Sequence, residues 1–430
     1  VSAPGRDTGV THAGERDPRA IPVDEARERI GRLVTPVRTV ERLAIRSALG
    51  RVLARDVVST IDVPAADNAA MDGYALSGAD LRPDADTVLT PVGTRLAGQR
   101  HDVSPRAGDC VRIMTGAVMP VGLDTVVPQE LVRVDGDRVV VAPGTVRTGD
   151  NRRGAGEDLA RGEVVLRAGR RLRPADIGLL ASLGQAEVPV LRRLRVAFFS
   201  TGDELRSLGE PLDEGCVYDS NRYTLWGMLE RLGADLLDLG AVRDDPQALE
   251  AAFRHAARSA DAIVTSGGVS VGEADHTRQV MATIADVAFW RIAMRPGRPM
   301  AIGRIRAPEG GEPGPLLFGL PGNPVAVMVT FYAFVRDALI AMSGATPEPP
   351  TVLRAAASAP IRKKPGRTEY QRGVVSRGTD GSLSVAPTGA QGSGILRSMS
   401  AANGLVVLHH AQGDVAAGEL VDVWPFDGLV

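Results

Sequence analysis

Between residues 195 and 342, short apolar runs alternate with amphipathic stretches. Continuous apolar runs suit strands buried on both faces, and three-to-four spacing suits helices, so the segment reads as βα units feeding a mainly parallel sheet. The expected strands are RVAFFS (195–200), DLLDLG (235–240), DAIVTS (261–266), DVAFWRIAM (286–294) and PLLFGL (315–320). After DSN at 219–221, Leu225, Met228, Leu229 and Leu232 recur at helical spacing, with Asp219 or Ser220 placed to cap the helix. A second helix is expected from about Pro246 and a third after Asp275. The stretch NPVAVMVTFYAFVRDALIAM opens with Asn and Pro, suited to an N-cap and first helical turn, and is apolar almost all round, so it should be buried.

The flanks have other textures. Residues 58–146 carry short β-prone runs between turn signals, and LVRVDGDRVVV (131–141) reads as a hairpin with Asp-Gly at the bend. From about 346 the same texture returns behind the proline-rich ATPEPPTV, with RGTDGSLSV (377–385) as a second hairpin. Residues 24–57 carry a helical pattern and 147–180 a mixed one. The division expected is a disordered tail (1–20), a discontinuous helical and mixed domain I (21–57 and 147–180), an inserted β-rich domain II (58–146), an α/β domain III (181–345) and a C-terminal β domain IV (346–430). The fold class is therefore α/β multidomain, and a chain of 430 residues is long enough for several such cores. No fixed-period repeat occurs, which sets solenoids and propellers aside.

Composition narrows the functions. With 44% hydrophobic and 24% charged residues and a net charge of −2, the chain has a globular balance and no basic footprint for nucleic acid. The two cysteines, Cys110 and Cys216, form no CxxC, so neither a disulfide framework nor a zinc site is expected. That cysteine usage suits a cytoplasmic protein; the N-terminal residues lack a signal-peptide core, and no run reaches the roughly 18 apolar residues of a membrane span. Of the 50 basic residues only Lys363 and Lys364 are lysines. An arginine at any one position is thus weak evidence that a guanidinium is needed there.

Three strand ends run into loops suited to a ligand: STGDEL (200–205), TSGGVSVGEAD (265–275) and GLPGNP (319–324). In an open parallel sheet ligands bind at the carboxyl ends of strands. Gly267, Gly268 and Gly272 permit close backbone approach to a phosphate, although turn formation alone also explains each glycine. The acids Glu204, Asp219, Glu273 and Asp275 fall in the same region. Beside anion-binding amides such acids are tolerable when a hard cation neutralises them, and Mg²⁺ takes oxygen ligands from carboxylate and phosphate together. DNAAMDGYAL (67–76) and RIMTGAVMP (112–120) read on their own as turn chemistry. Histidines are scattered without ligand spacing.

Taken in order, DNAAMDGYAL, RIMTGA, STGDEL, YDSNRYTL, TSGGVSVGEAD, RPGRP and GLPGNPVAV resemble the MoeA and gephyrin E-domain family from about residue 22 onward. The resemblance implies an elongated homodimer of four-domain subunits that inserts molybdate into adenylylated molybdopterin, releases AMP and requires a divalent cation, Mg²⁺. It implies catalytic roles for Asp72, Thr115, Asp158, Glu204, Asp219 and Asp275, with Asp72 and Thr115 presented across the subunit interface. The metal would be held by Glu204, Asp219 and Asp275. Ser200, Thr201, Gly202, Ser266, Gly267, Gly268, Gly272, Arg291, Arg295, Arg298, Pro321, Gly322, Asn323, Arg372 and Ser393 would bind the pterin nucleotide and molybdate.

The chain departs from the family where lysines are common, carrying Arg291, Arg295 and Arg298 instead. Arginine keeps the charge and clamps oxyanions bidentately, but is no neutral exchange. His276, where a tyrosine is common, and the Gly-Ala pair of NRRGAGED also depart. The alternatives are the preceding adenylyltransferase step, for which one α/β domain suffices, and a gephyrin-like scaffold that binds receptor tails. Other cofactor-biosynthesis proteins or recipient apoenzymes are the further partners expected.

Overall fold

The computed structural model describes residues 20–99, 104–269, 276–306 and 313–429. They form two compact units: one comprises the N-terminal residues through Glu41, Gly50–Val52 and the chain from Leu191 onward, and the other comprises Arg42–Leu49 and Leu53–Val190.

In the first unit α1 (Val23–Gly31) precedes β1 (Arg195–Thr201), α2 (Ser220–Leu232), β2 (Asp235–Val242), α3 (Pro246–Ser259), β3 (Ala262–Ser266), α4 (His276–Ile284), β4 (Ala285–Arg291), β5 (Pro299–Ile305), β6 (Leu316–Leu320) and a long helix α5 (Pro324–Met342). The sheet order is β2-β1-β3-β6-β5-β4. Its first four strands are parallel, while β5 runs antiparallel to both β6 and the edge strand β4. Both faces are covered, which explains the continuous apolar run of β1. Val196 and Phe198 join the core shared with α2 and α5. Ala197 and Phe199 join that of α3 and α4, where Phe199 meets Phe253 edge-on at 5.1 Å.

The edge pair departs from expectation. The strand anticipated through residue 294 stops at Arg291, and β5 carries no clear signal because Pro299 opens it and Gly303 interrupts it. The glycine is there because β4 passes close: a Cβ at Gly303 would lie 2.2 Å from the Asp286 carbonyl oxygen. Met294–Arg295 instead pairs with Thr368 and Glu369.

Helix α5 is long and apolar enough to cross a membrane, but 78% of its apolar window is buried inside the protein. It is a core helix. Helix α1, grouped by sequence with residues 147–180, contributes Val23, Ala26 and Ile30 to this same core, and Arg27 Nε donates to the Ala333 carbonyl of α5 at 3.0 Å.

Beyond α5 come β7 (Leu353–Ala357), β8 (Thr368–Arg377), β9 (Leu383–Pro387), β10 (Gly404–Leu408) and β11 (Leu420–Pro425). The pairings β8 to β9, β9 to β7, β7 to β11, β11 to β10 and β10 to β8 return to their start, so the strands close a barrel with no free edge among them. Its interior holds Ala355, Val385, Val406 and Val423. The expected hairpin pairs Arg377 with Leu383.

The second unit holds a sheet ordered Thr125–Pro128, Gly73–Leu76, Asp109–Ile113, Thr87–Arg95, Arg138–Val141 and Val132–Asp135. Its last two strands form the predicted hairpin, with Asp135 opposite Arg138 and the turn at Gly136 and Asp137. The stretch VERLAIRSALG, read as helical, is a strand at Val40–Ala44 followed by one 3₁₀ turn at Ile45–Ala48. The Ile45 N–H donates to the Ala186 carbonyl at 3.0 Å, a long-range bond that outweighs weak local helix propensity.

Candidate functional site

Strands β1, β3 and β6 are in register at their carboxyl ends, with Ser200 beside Ser266 and Ser266 beside Leu320. Parallel strands must release their chains at one edge, so three loops meet there. They frame a cleft of about 770 Å³ lined by Thr201, Gly202, Glu204, Leu205, Ser266, Gly267, Gly268, Val269, Pro321, Gly322 and Asn323. Residues 295–299 and Gln391–Ser393 complete its wall, together with Asn221, Asp244 and Ala326.

The loop after β3 needs glycine. Gly267 has φ +93°, and a Cβ there would lie 2.4 Å from the Thr201 carbonyl oxygen. Its N–H, however, donates to the Leu320 carbonyl at 3.1 Å, tying two loops together instead of pointing at a ligand. Asn221 adds a further tie, its Nδ2 donating to the Gly322 carbonyl at 2.7 Å.

Asp219 lies beneath this floor, 2% exposed. It caps α2 by accepting from the Arg222 N–H at 3.1 Å and also accepts from Ser200 Oγ at 2.9 Å. Ser266 Oγ, on the cleft wall, donates to Ser200 Oγ at 2.9 Å, which links the cleft to the buried acid. Asp219 Oδ2 and Asn221 Oδ1 are buried without a hydrogen-bond partner. Among the described residues, the carboxylates on the wall itself are Glu204, exposed, and Asp244, half-buried. Thr277 Oγ1 stands 3.3 Å from both Asp244 Oδ1 and Thr201 Oγ1, bridging the loop after β2 to the end of β1.

Arg295 and Arg298 are exposed in the lining, whereas Arg291 is not part of it. Arg372 is 1% exposed and also stands behind the lining. Its Nε donates to Ser398 Oγ at 3.0 Å, and its Nη2 to the carbonyls of Gly392 at 3.0 Å and Ala390 at 3.3 Å. Burial, and after it the nearby Arg295 charge, lowers its pKa to about 10, so it stays cationic at neutral pH. It holds the loop that brings Ser393 to the cleft. The only buried thiol among the described residues, Cys110, is pushed up to about 12 by burial and then by Asp109, which makes it unreactive.

Gly272, Glu273 and Asp275 lie outside the described residues. Asp72, Thr115 and Asp158 belong to the second unit. There Asp72 Oδ1 accepts from Thr115 Oγ1 at 2.6 Å and from the Thr115 N–H at 2.7 Å, while Asp158 is exposed. The Thr115 hydroxyl, then its amide, holds the Asp72 carboxyl below its usual range. Among the described residues no group of three His, Cys, Asp or Glu side chains is placed to hold a metal. The oxygens of Glu204 and Asp244 and the unpartnered Oδ2 of Asp219 nonetheless have the hard-donor chemistry that Mg²⁺ takes.

Asp244, Asn221 and Gln391 were not anticipated as site residues. Asp244 was legible by the strand-end rule, because it stands just past the end of β2 at Val242. Its neighbour Asp245 is the helix cap, accepting from the N–H groups of Gln247 at 3.1 Å and Ala248 at 2.9 Å.

A doubly covered sheet with a cleft walled by arginines and carboxylates defines an α/β protein built for an anionic ligand. Comparison with known proteins makes this specific. The model for the "MoeA N-terminal region (domain I and II)" matches residues 21–184, that for a "Probable molybdopterin binding domain" residues 197–341, and that for the "MoeA C-terminal region (domain IV)" residues 354–426. The molybdopterin molybdenumtransferase of Haemophilus influenzae is 39% identical over 95% of this chain and 99% of its own length. That of Bacillus subtilis is 32% identical over 94% and 93%. A crystal structure of the molybdopterin biosynthesis moeA protein from Pyrococcus horikoshii superposes with a TM-score of 0.80 at 29% identity, covering 95% of this chain and all of that one. The chain belongs to the MoeA family of molybdopterin molybdenumtransferases.

Proposed function

We propose that this chain is a molybdopterin molybdenumtransferase of molybdenum cofactor biosynthesis, inserting molybdate into adenylylated molybdopterin with release of AMP. The observation that carries the reading is the cleft where β1, β3 and β6 end, with Arg295, Arg298, Glu204 and Asp244 in one lining. Arg295 and Arg298 bind the phosphates and molybdate, and the loops at Thr201–Gly202, Ser266–Gly268 and Pro321–Asn323 seat the pterin nucleotide. Ser393 closes the far side, positioned through Arg372, and Ser200 fixes Asp219 under the floor. Glu204, Asp219 and Asp275, joined by Asp244, are the residues that would hold Mg²⁺. When bound, Mg²⁺ supplies charge neutralisation at the phosphoanhydride. The protein's own contribution is orientation of the two anions against each other and stabilisation of charge as the P–O bond to AMP breaks.

The working unit in this reading is a homodimer in the cytoplasm, of four-domain subunits divided near residues 57, 147, 181 and 346. Asp72, Thr115 and Asp158 complete the active site at the subunit interface.

A single-turnover assay tests the reading: purified protein, adenylylated molybdopterin, Mg²⁺ and molybdate, with AMP followed by chromatography. Molybdate-dependent AMP release that is lost in Asp244→Asn and Asp275→Ala supports it. Tight substrate binding without AMP release by the parent would overturn it.

A further inference from the structure

A second, larger cleft of about 1070 Å³ lies at the other edge of the same sheet, where the parallel strands begin. It is reached by Arg192 just before β1, by Asp261 just before β3 and by Pro315 just before β6. Among the described residues six arginines line it, Arg38, Arg192, Arg254, Arg258, Arg304 and Arg306, against one acid, Asp261. In a chain of net charge −2 that is a strong local excess. Because arginine dominates the basic residues of this protein, residue type means little here. What matters is how much of the charge is balanced.

Asp261 is spent on Arg192, whose two terminal nitrogens each donate to it at 2.7 Å. Arg254 pairs with Glu250 on its own helix, and Arg306 with Asp286 at 2.9 Å. The other three arginines have no carboxylate partner among the described residues. Arg304 donates to the Gly314 carbonyl and to Thr35 Oγ1, both at 2.8 Å, and to the Leu33 carbonyl, all neutral acceptors. Burial lowers its pKa, a sign that the surroundings leave its charge uncompensated. Arg38 and Arg258 are exposed, and their side chains make no hydrogen bond or ion pair among the described residues.

The shape and lining separate candidate ligands. No aromatic ring lines the cleft among the described residues, so nothing stacks on a nucleobase or pterin. The charge enters from four stretches of chain along a cleft much larger than one phosphate needs. Pro36, Ala257 and Pro313 add apolar surface to the same lining. Such a lining complements carboxylates that alternate with small apolar groups, and arginine forks bind carboxylates bidentately.

We propose that this cleft docks an extended acidic segment of a partner protein, its carboxylates taken by Arg38, Arg258 and Arg304. Its position at the opposite edge of the sheet leaves the first cleft free to work while the partner is held. The inference rests on charge and shape alone and stands apart from the proposed transferase reaction.

The test uses the whole protein and a fluorescein-labelled peptide repeating Glu-Leu-Glu-Pro-Ala, read by fluorescence anisotropy. Binding by the parent that weakens as salt rises, and that drops at least about tenfold in Arg38→Glu/Arg258→Glu, supports the proposal. Both positions are exposed, so AMP release and the circular dichroism spectrum should not change. Arg258→Gln, with a smaller expected loss of about threefold, serves as a second variant if the double one misfolds. Absence of binding by the parent, or equal affinity in parent and variants, would overturn it. Displacement of the peptide by tripolyphosphate at matched negative charge would overturn it too, and make the cleft a small-oxyanion site.

Discussion

Asp219 and Asp244 are both strand-end acids, but they touch different things. Asp219 is a buried cap bonded to Ser200 and to the first turn of α2. Asp219→Ala should therefore cost stability, about 1–2 kcal/mol from the lost cap, measured by urea unfolding. Asp244 stands on the cleft wall, so Asp244→Asn should lower single-turnover AMP release by at least about tenfold with little change in the unfolding midpoint. Gly267→Ala places a methyl against the Thr201 carbonyl at positive φ, and a destabilisation on the order of 1–3 kcal/mol is expected in the same unfolding experiment. Asp72 supplies a pH test. Its folded pKa is depressed by Thr115, so the stability it contributes is present above the ordinary value of 3.8 and is lost as pH falls through the folded pKa. Thr115→Val should raise the Asp72 pKa toward 3.8 without restoring it fully, because the backbone N–H still donates; carboxyl-carbon NMR titration reads the change.

At the scale of elements, the loop 390–393 owes its place to Arg372, which spans Ser398, Ala390 and Gly392 with one planar guanidinium. Lysine cannot make those bonds from one point charge. In Arg372→Lys, amide hydrogen exchange at residues 390–395 should speed up and substrate affinity should fall, while the barrel strands keep their protection. Unchanged exchange in that loop would assign the arginine a role in packing only. The ends of β1, β3 and β6 explain why the cleft forms at all: three parallel strands in register deliver Thr201, Ser266 and Leu320 to one edge, and Gly267 and Asn221 bind the emerging loops to one another.

For the whole molecule the test concerns assembly. If two subunits share each active site, an Asp72→Ala chain and a Glu204→Ala chain, each inactive alone, should complement when mixed. Random exchange makes half the dimers mixed with one intact site each, so about a quarter of the parental AMP release should return. Sedimentation of the parent should show a dimer. A monomer, or no recovery in verified mixed dimers, would count against the shared site.

Much of this protein was determined by the local order of its residues. The apolar runs at 195–200, 261–266 and 315–320, the cap at Asp219 and the Asn-Pro start of α5 were legible because burial on both faces and helix capping act over a few residues. The three glycine-bearing loops were legible because strand ends in a parallel sheet share one edge. Other features depend on partners distant in sequence. Strand β5 was hidden because its glycine serves the close passage of β4, and VERLAIRSALG took its conformation from a bond to Ala186. Arg372 carries charge in any reading of the sequence, yet only packing shows that it sits behind the cleft and holds Gly392 instead of lining the wall. Likewise Asp219 and Asp244 both stand just ahead of a helix, but tertiary structure buries the first beneath the floor, where Ser200 Oγ and the Arg222 N–H donate to it, and leaves the second on the cleft wall beside Thr277 Oγ1.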